Sequence, residues 1–205
     1  MRVLPILFNT EMVRAILDGR KTCTRRLIRK HIENKYLEYD EWVRAVAPPG
    51  STYLREKELY EQYPPYQPGD TLYVRETWCG LPVNEAGHMR GHTIYYYKAD
   101  GELRPKGWRG TWHPSIHMPK EAARIWLRVT NVRVERLQDI TIEEIRKEGL
   151  TSAAVHAGDM EIALEEWKIL WNSTIKKQDR HINSWDANPF VWVIEFERCE
   201  KPEVN

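Results

Sequence analysis

Lys21 and Thr24 are the two side chains of this 205-residue chain whose types and spacing best suit joint chemistry. A lysine whose pKa is lowered by burial or by a nearby cation can take a proton from a hydroxyl group and make that hydroxyl a nucleophile. Arg25 and Arg26 supply such cations. Residues three apart lie on opposite faces of a regular strand, so cooperation requires a turn or bulge just after Gly19. Spacing alone favours a solvated lysine beside a solvated threonine.

The elements around this segment follow from the pattern of apolar residues. A strand at residues 2–8 is predicted to lead into a helix at about 11–18, which Asn9 or Thr10 can cap. Gly19 stands where a helix commonly ends in a left-handed conformation. The segment that carries the lysine and the threonine then leaves the helix as a loop or a strand.

The rest of the chain mixes strands and helices. Further strands are predicted at residues 71–76, 93–97, 123–135 and 190–197, and further helices at about 141–149 and 160–173. Thr141 and Glu144 form a capping box, and Asp159 caps the last helix. Because the order shows no regular β-α-β alternation, the sequence predicts an α+β fold.

Two excursions interrupt what is predicted to be a single domain over residues 1–205. The first, at about 29–65, is polar and mixed in charge and contains paired prolines. The second, at about 79–120, is rich in Gly, His, Trp and Pro. Such composition is typical of insertions outside a core, and their role is left open.

The charge of the chain is balanced in total but uneven along its length. Its 31 basic and 30 acidic residues argue against a uniformly basic nucleic-acid coat protein or an acidic disordered tail. Residues 14–30 nevertheless hold seven basic residues and one acid, a net of +6, whereas residues 135–166 hold nine acids and three basic residues, a net of −6. The basic segment either attracts phosphate, or the two segments are solvated or face each other.

The composition also bears on location and on metal binding. No apolar run approaches the roughly 20 residues of a membrane span, and no signal peptide is evident, so we expect a cytoplasmic protein with no membrane partner.

Cys23, Cys79 and Cys199 are widely spaced, and free thiols are expected. Cys23, near Arg25, is either a reactive thiolate or a buried inert thiol. Histidine pairs spaced H-x3-H lack a third ligand, so no metal site is expected.

Six segments of the chain, taken in order, share their pattern with a known family. They are Gly19–Arg26, the turn at Pro68–Asp70 leading into Leu72–Glu76, the strand at 124–135, Leu137–Thr141, the helix that reaches Glu148 and Gly149, and Trp192–Phe196. Together they resemble an ASCH domain. The resemblance covers residues 1–28, about 66–78 and about 122–198, and it implies a PUA-like mixed β-barrel flanked by helices, a fold related to RNA-binding modules.

The resemblance also implies an activity. ASCH domains include small amidohydrolases that remove the acyl group from N4-acetylcytidine with a Lys, a Thr and a Glu, which fall on Lys21, Thr24 and Glu148. The threonine would be the nucleophile, the lysine its base, and the glutamate the group that orients and charges the lysine. This chemistry requires no metal and no organic cofactor. Because the family also contains nucleic-acid binders and ribonucleases, a non-catalytic RNA- or DNA-binding module and a ribonuclease remain alternatives.

Other residues are candidates for holding a modified nucleoside, RNA or DNA. They are Arg20, Arg25, Arg26, Glu76, Trp108, Arg109 and Trp112. The arginines suit phosphate, and the two tryptophans either stack on a base or anchor their loop on the barrel. Glu76 either accepts from a nucleobase amino group or pairs with Arg75 or another cation. The sequence leaves the natural substrate and the oligomeric state open.

Overall fold

The computed structural model describes residues 1–28, 60–83, 92–101 and 110–203. The chain divides into two compact units, each built from segments distant in sequence. The first unit comprises Met1–Gly19, Gly69–Arg128 and Glu197–Asn205, and the second comprises Arg20–Pro68 and Val129–Phe196. Most of the predicted first excursion, and Trp108 and Arg109 of the second, lie outside the described residues. The single domain with two insertions therefore stays a prediction.

The described residues form strands, helices and short 3-10 turns. The strands are β1 (Val3–Leu7), β2 (Cys23–Leu27), β3 (Thr71–Arg75), β4 (Trp78–Val83), β5 (His92–Tyr97), β6 (Trp126–Arg136) and β7 (Phe190–Cys199). The helices are α1 (Thr10–Leu17), α2 (Ile142–Lys147), α3 (Ala153–Ala157), α4 (Met160–Thr174) and α5 (Arg180–Asn183). The 3-10 turns are Lys98–Asp100, Ser115–His117, Lys120–Ala122, Leu137–Asp139 and Lys177–Asp179.

In the first unit, parallel and antiparallel pairs occur side by side. Strand β1 pairs in parallel with β3, and β3 pairs antiparallel with the first residues of β6, where Leu72 lies opposite Leu127. Strands β4 and β5 form a separate antiparallel pair. Buried Met118 and Trp126 form a small core against which the half-buried rings of Tyr73 and Trp78 pack. The mixture of parallel and antiparallel strands with helices confirms the predicted α+β class.

In the second unit, helices cover one face of strands β2 and β7. Strand β2 pairs antiparallel with β7, with Cys23 opposite Glu195 and Leu27 opposite Val191, and β7 also lies beside β6. Helices α2, α3 and α4 contact one another. The largest side chains between helices and strands are Trp167 and Trp171, both buried. This packing fixes the position of β2 relative to α2.

Local signals explain where the helices begin. The Asn9 side chain accepts from the backbone N–H of Met12, as expected of a helix cap. Thr141 and Glu144 make both bonds of the capping box, so that prediction is confirmed. Asp159 caps α4 as predicted. Helix α1 is followed by Gly19 at φ +75°, a left-handed conformation that favours glycine.

Candidate active site

The backbone brings the start of β2 next to the end of α2 in the second unit. The N–H of Thr22 donates to the carbonyl of Lys147 at 2.8 Å, and the carbonyl of Thr22 accepts from the N–H of Phe196 at 2.9 Å. Glu148 follows directly as the C-terminal cap residue of α2. These two bonds set Lys21 against Glu148, although 127 residues separate them in the sequence.

Lys21 and Glu148 form a buried ion pair. The ammonium of Lys21 donates to Oε2 of Glu148 at 2.6 Å and to the backbone carbonyl of the same residue at 2.9 Å. The exposed fraction is 0% for the lysine side chain and 2% for the glutamate side chain. Burying two charges costs several kcal/mol per ion unless they are closely paired and hydrogen-bonded, as they are here. The carbonyl belongs to the end of α2, where a cation also suits the helix dipole.

Arg25 extends this pair into a network. Its fully buried guanidinium donates to Glu148 at 3.4 Å, to Glu144 at 2.9 Å and to Glu135 at 3.3 Å. Arg25 is therefore shared among three carboxylates, two of which lie on α2 or at its end. The segment with a net charge of +6 and the segment with a net charge of −6 thus face each other at this point, one of the outcomes that the sequence left open.

A second arginine that the sequence did not single out completes the network. Arg133 donates to Glu135 and Glu144, and at 2.5 Å to Glu195 of β7. Glu144 was recognised from the sequence only as half of a capping box, yet the same carboxylate also binds Arg25 and Arg133. The charge pattern of the segment was the only signal for these contacts, and it did not specify partners.

Glu144 makes stability depend on pH. Burial by itself raises the pKa of this carboxyl, but the Thr141 N–H and the charges of Arg25 and Arg133 outweigh it, so its pKa is lowered. A carboxyl with a lowered pKa stabilises the folded state above its unfolded pKa of about 4.3, and that stabilisation is lost as the pH falls through the folded value. Glu144→Gln keeps the capping box and removes the charge. We expect it to lower the free energy of unfolding by about 1–3 kcal/mol at pH 7 and by much less at pH 3.

Urea unfolding of both proteins at the two pH values measures this difference. The matched control is Glu143→Gln, because the Glu143 side chain is 67% exposed and contacts only the surface residue Arg146 among the described ion pairs. A Glu144→Gln defect of equal size at pH 7 and pH 3 would show that packing, and not charge, is responsible.

Thr24 is buried on β2, but it lies on the other face of the strand from Arg25, which contacts the ion pair. It lies opposite Ile194, and alternation along the strand puts it on the other face from Arg25 and Cys23. Among the described residues, no hydrogen bond joins Thr24 to Lys21 or to Glu148. The structure therefore brings two of the three predicted catalytic residues together, and the role of Thr24 stays a prediction.

Cys23 is a buried thiol next to this network. Burial, followed by the charge of Glu148, raises its pKa to about 12 and outweighs the opposing charges of Arg25 and Lys21. The thiol therefore stays protonated at neutral pH. Of the two expectations for Cys23, the structure supports the inert buried thiol.

The two other arginines of Gly19–Arg26 also lie in the second unit. Arg20 donates to the carbonyl of Gly149 at 2.8 Å, directly after Glu148. Arg26 is half-buried on the Thr24 face of β2; burial lowers its pKa, which the charges of Tyr66 and Glu148 partly offset. These observations do not test a role of Arg20 or Arg26 in binding substrate.

Glu76 lies in the first unit, where it pairs with a cation. Both of its carboxylate oxygens accept from Arg124, at 3.0 and 3.1 Å, and its exposed fraction is 1%. Burial raises its pKa, while Arg124 opposes the shift. Arg124 also donates to Asp100 at 2.7 Å and lies 4.0 Å above the centre of the Tyr97 ring. Pairing with a cation is thus observed, and acceptance from a nucleobase stays a prediction.

Of the other predicted binding residues, only Trp112 is described, and it is half-buried. His113, from one of the histidine pairs, packs against Trp78 with ring centres 5.1 Å apart.

In the described part of the chain, no group of three or more His, Cys, Asp or Glu side chains is arranged to hold a metal ion. The helices in that part include none long and apolar enough to cross a membrane.

Comparison with known proteins gives two distant likenesses. Neither protein-family models nor curated proteins give a match. Two solved structures are similar to this chain. One is an ASCH domain from Lactobacillus crispatus JV V101, with 11% identity and a TM-score of 0.38, covering 96% of this chain and 79% of that one. The other is a DUF984-family protein from Enterococcus faecalis V583, with 10% identity and a TM-score of 0.42, covering 97% of this chain and 76% of that one.

The ASCH domain is the family that the sequence motifs resemble. Likenesses at 10–11% identity and TM-scores of 0.38 and 0.42 say nothing about the side chains that do chemistry. The contacts of Lys21, Arg25 and Glu148 are therefore the observations that bear on function.

Proposed function

We propose that this chain hydrolyses an amide on a modified nucleobase of the N4-acylcytidine type, with Lys21, Thr24 and Glu148 as its catalytic residues. The observation that carries the proposal is the buried contact of 2.6 Å between the ammonium of Lys21 and the carboxylate of Glu148. A lysine held without water against a carboxylate has a partner to which it can pass a proton. Thr24 lies three residues further on, and it is also buried.

The proposed reaction has two steps. Lys21 passes a proton to Glu148 and, as a neutral amine, takes the proton of the Thr24 hydroxyl while the oxygen attacks the acyl carbon. The C–N bond of the amide breaks, the nucleobase amine leaves with the proton from Lys21, and the acyl group remains as an ester on Thr24. Water then attacks the ester, which releases the carboxylic acid and restores the threonine.

The contact between the two side chains supports the first proton transfer. The ammonium of Lys21 already donates to Oε2 of Glu148 at 2.6 Å, so the proton has a short path to the carboxylate. Among the described residues, no hydrogen bond joins the hydroxyl of Thr24 to Lys21. Catalytic hydrogen bonds often form only once substrate is bound, and this proposal requires that they do so here.

The network also disfavours one alternative role. A phosphate contact needs a cation that remains available at a surface, whereas Arg25 is fully buried among three carboxylates. Arg25 therefore serves to hold Glu148 and its neighbours in place, and it is poorly suited to bind the backbone of RNA or DNA.

The test is an assay for the conversion of N4-acetylcytidine to cytidine and acetate, with both nucleosides measured by chromatography. We expect turnover by the natural protein, a loss of about a hundredfold or more in Thr24→Val, and partial activity in Thr24→Ser, which keeps a hydroxyl. Thr22→Val is the matched control, because Thr22 is an exposed threonine two residues away. Absence of turnover with N4-acylcytidines as nucleoside, nucleotide and RNA, or full activity of Thr24→Val, would overturn the proposal.

A further inference from the structure

A cavity of about 240 Å³ opens in the second unit close to the ion pair. It is lined by Arg20, Arg146, Leu150, Thr151, Val155 and His156. At about 30 Å³ per water, this volume would hold roughly eight water molecules, which is ample for a phosphate group. Arg20 adjoins Lys21 in sequence, and Leu150 is two residues from Glu148, so its Cα lies within about 8 Å of the Cα of Glu148.

The lining of this cavity is cationic. It includes two arginines but no acid. Nε and Nη2 of Arg146 donate to the carbonyl of Val155 at 3.1 and 2.8 Å, and Nη1 donates to Glu143. These bonds hold the guanidinium in place and use three of its five N–H groups. The other two have no acceptor among the described residues and can bind a ligand.

Other polar groups also line the cavity. Nδ1 of His156 is 2.9 Å from the carbonyl of Ser152. A carbonyl only accepts, so Nδ1 donates its N–H to Ser152 and that proton is not available to an anion. Thr151 is exposed and contributes a hydroxyl group. Arg20, tied to the carbonyl of Gly149 at 2.8 Å, brings a second guanidinium to the cavity.

We propose that this cavity binds the phosphate of a nucleotide. The two remaining N–H groups of Arg146, the guanidinium of Arg20 in the same lining and the hydroxyl of Thr151 suit an anion with several oxygens, and arginine is well matched to phosphate geometry. The assignment of this phosphate to the substrate rests on the proposed function, whereas the anion site itself does not. The same chemistry fits the terminal phosphate of a mononucleotide and the phosphodiester of RNA.

The anion site is tested with inorganic phosphate alone. Titration should give saturable shifts of the backbone amide signals of Leu150 and Thr151. Arg146→Gln and Thr151→Val should each weaken binding, the first by about tenfold. Glu143→Gln should tighten binding by about twofold to fivefold, because it removes the carboxylate that competes for Arg146. Arg180→Gln, which removes an exposed arginine of the same unit, should leave it unchanged.

Two results would overturn the anion site. One is the absence of saturable shifts at these amides. The other is phosphate affinity that is the same in the natural protein, Arg146→Gln and Thr151→Val. The opposite directions expected for Arg146→Gln and Glu143→Gln keep the test decisive if one of the variants folds poorly.

The source of the phosphate is distinguished by comparing N4-acetylcytidine, its 5′-monophosphate and a short RNA that contains it. Tighter binding of the monophosphate than of the nucleoside, lost in Arg146→Gln, assigns a mononucleotide. A gain seen only with the RNA assigns a phosphodiester. If phosphate binds but no amide is hydrolysed, the proposed function fails and the anion site stands; if hydrolysis occurs with equal affinity for all three, the substrate assignment fails.

Discussion

Lys21→Met is expected to lower the rate of N4-acetylcytidine hydrolysis about a thousandfold while the protein stays folded. Methionine fills a similar space but cannot accept a proton, and general-base catalysis contributes about 10²–10⁴-fold to such reactions. Glu148 keeps a counter-ion in this variant because Arg25 also donates to its carboxylate. The measurement is kcat/KM for the nucleoside, with circular dichroism and urea unfolding to verify the fold.

Lys21→Arg separates the base from the charge. Arginine keeps the positive charge beside Glu148, but it does not lose its proton in proteins. We therefore expect Lys21→Arg to be as inactive as Lys21→Met. We also expect Lys21→Arg to unfold at a higher urea concentration than Lys21→Met. Lys177→Met, which replaces an exposed lysine of the same unit, is the control. High activity of Lys21→Arg would mean that the charge alone matters and that Lys21 is not the base.

Local sequence signals predicted the elements that depend on neighbours along the chain. The caps at Asp159 and at Thr141 were predicted because capping is decided within three residues. Strand β4 was missed because Gly80 and Pro82 weaken the strand pattern, and its pairing with β5 comes from tertiary structure. Helix α3 has only five residues, too few to show an apolar stripe.

The site was predictable only in part. Lys21 and Glu148 were paired by a resemblance, because no periodicity relates residues 127 positions apart. The charge pattern located the two segments but not their partners, since long side chains choose acceptors by three-dimensional proximity. The contacts of Arg133 with Glu195 and Glu144 required the pairing of β6 with β7 and the packing of α2, which the sequence does not specify.

Glu148→Leu is expected to destabilise the protein by about 3–5 kcal/mol. Removing one partner leaves the other as an uncompensated buried charge, and the Lys21 side chain has no exposed surface through which water could replace the carboxylate. Arg25 loses only one of its three acceptors and contributes less. Urea unfolding at pH 7 measures the change, with Glu161→Gln, an exposed acid on α4, as the control.

The double variant Lys21→Met with Glu148→Leu decides whether unpaired charge is the cause. If it is, removing both charges should restore much of the lost stability, because the two methylene-rich side chains can pack in the same space and Arg25 keeps Glu144 and Glu135. The double variant should then be more stable than Glu148→Leu alone yet inactive, which separates the stability of this pair from its chemistry. If the losses of stability in the two single variants instead add up in the double variant, each side chain contributes through its own packing. An unpaired buried charge would then not be the cause of the loss in Glu148→Leu.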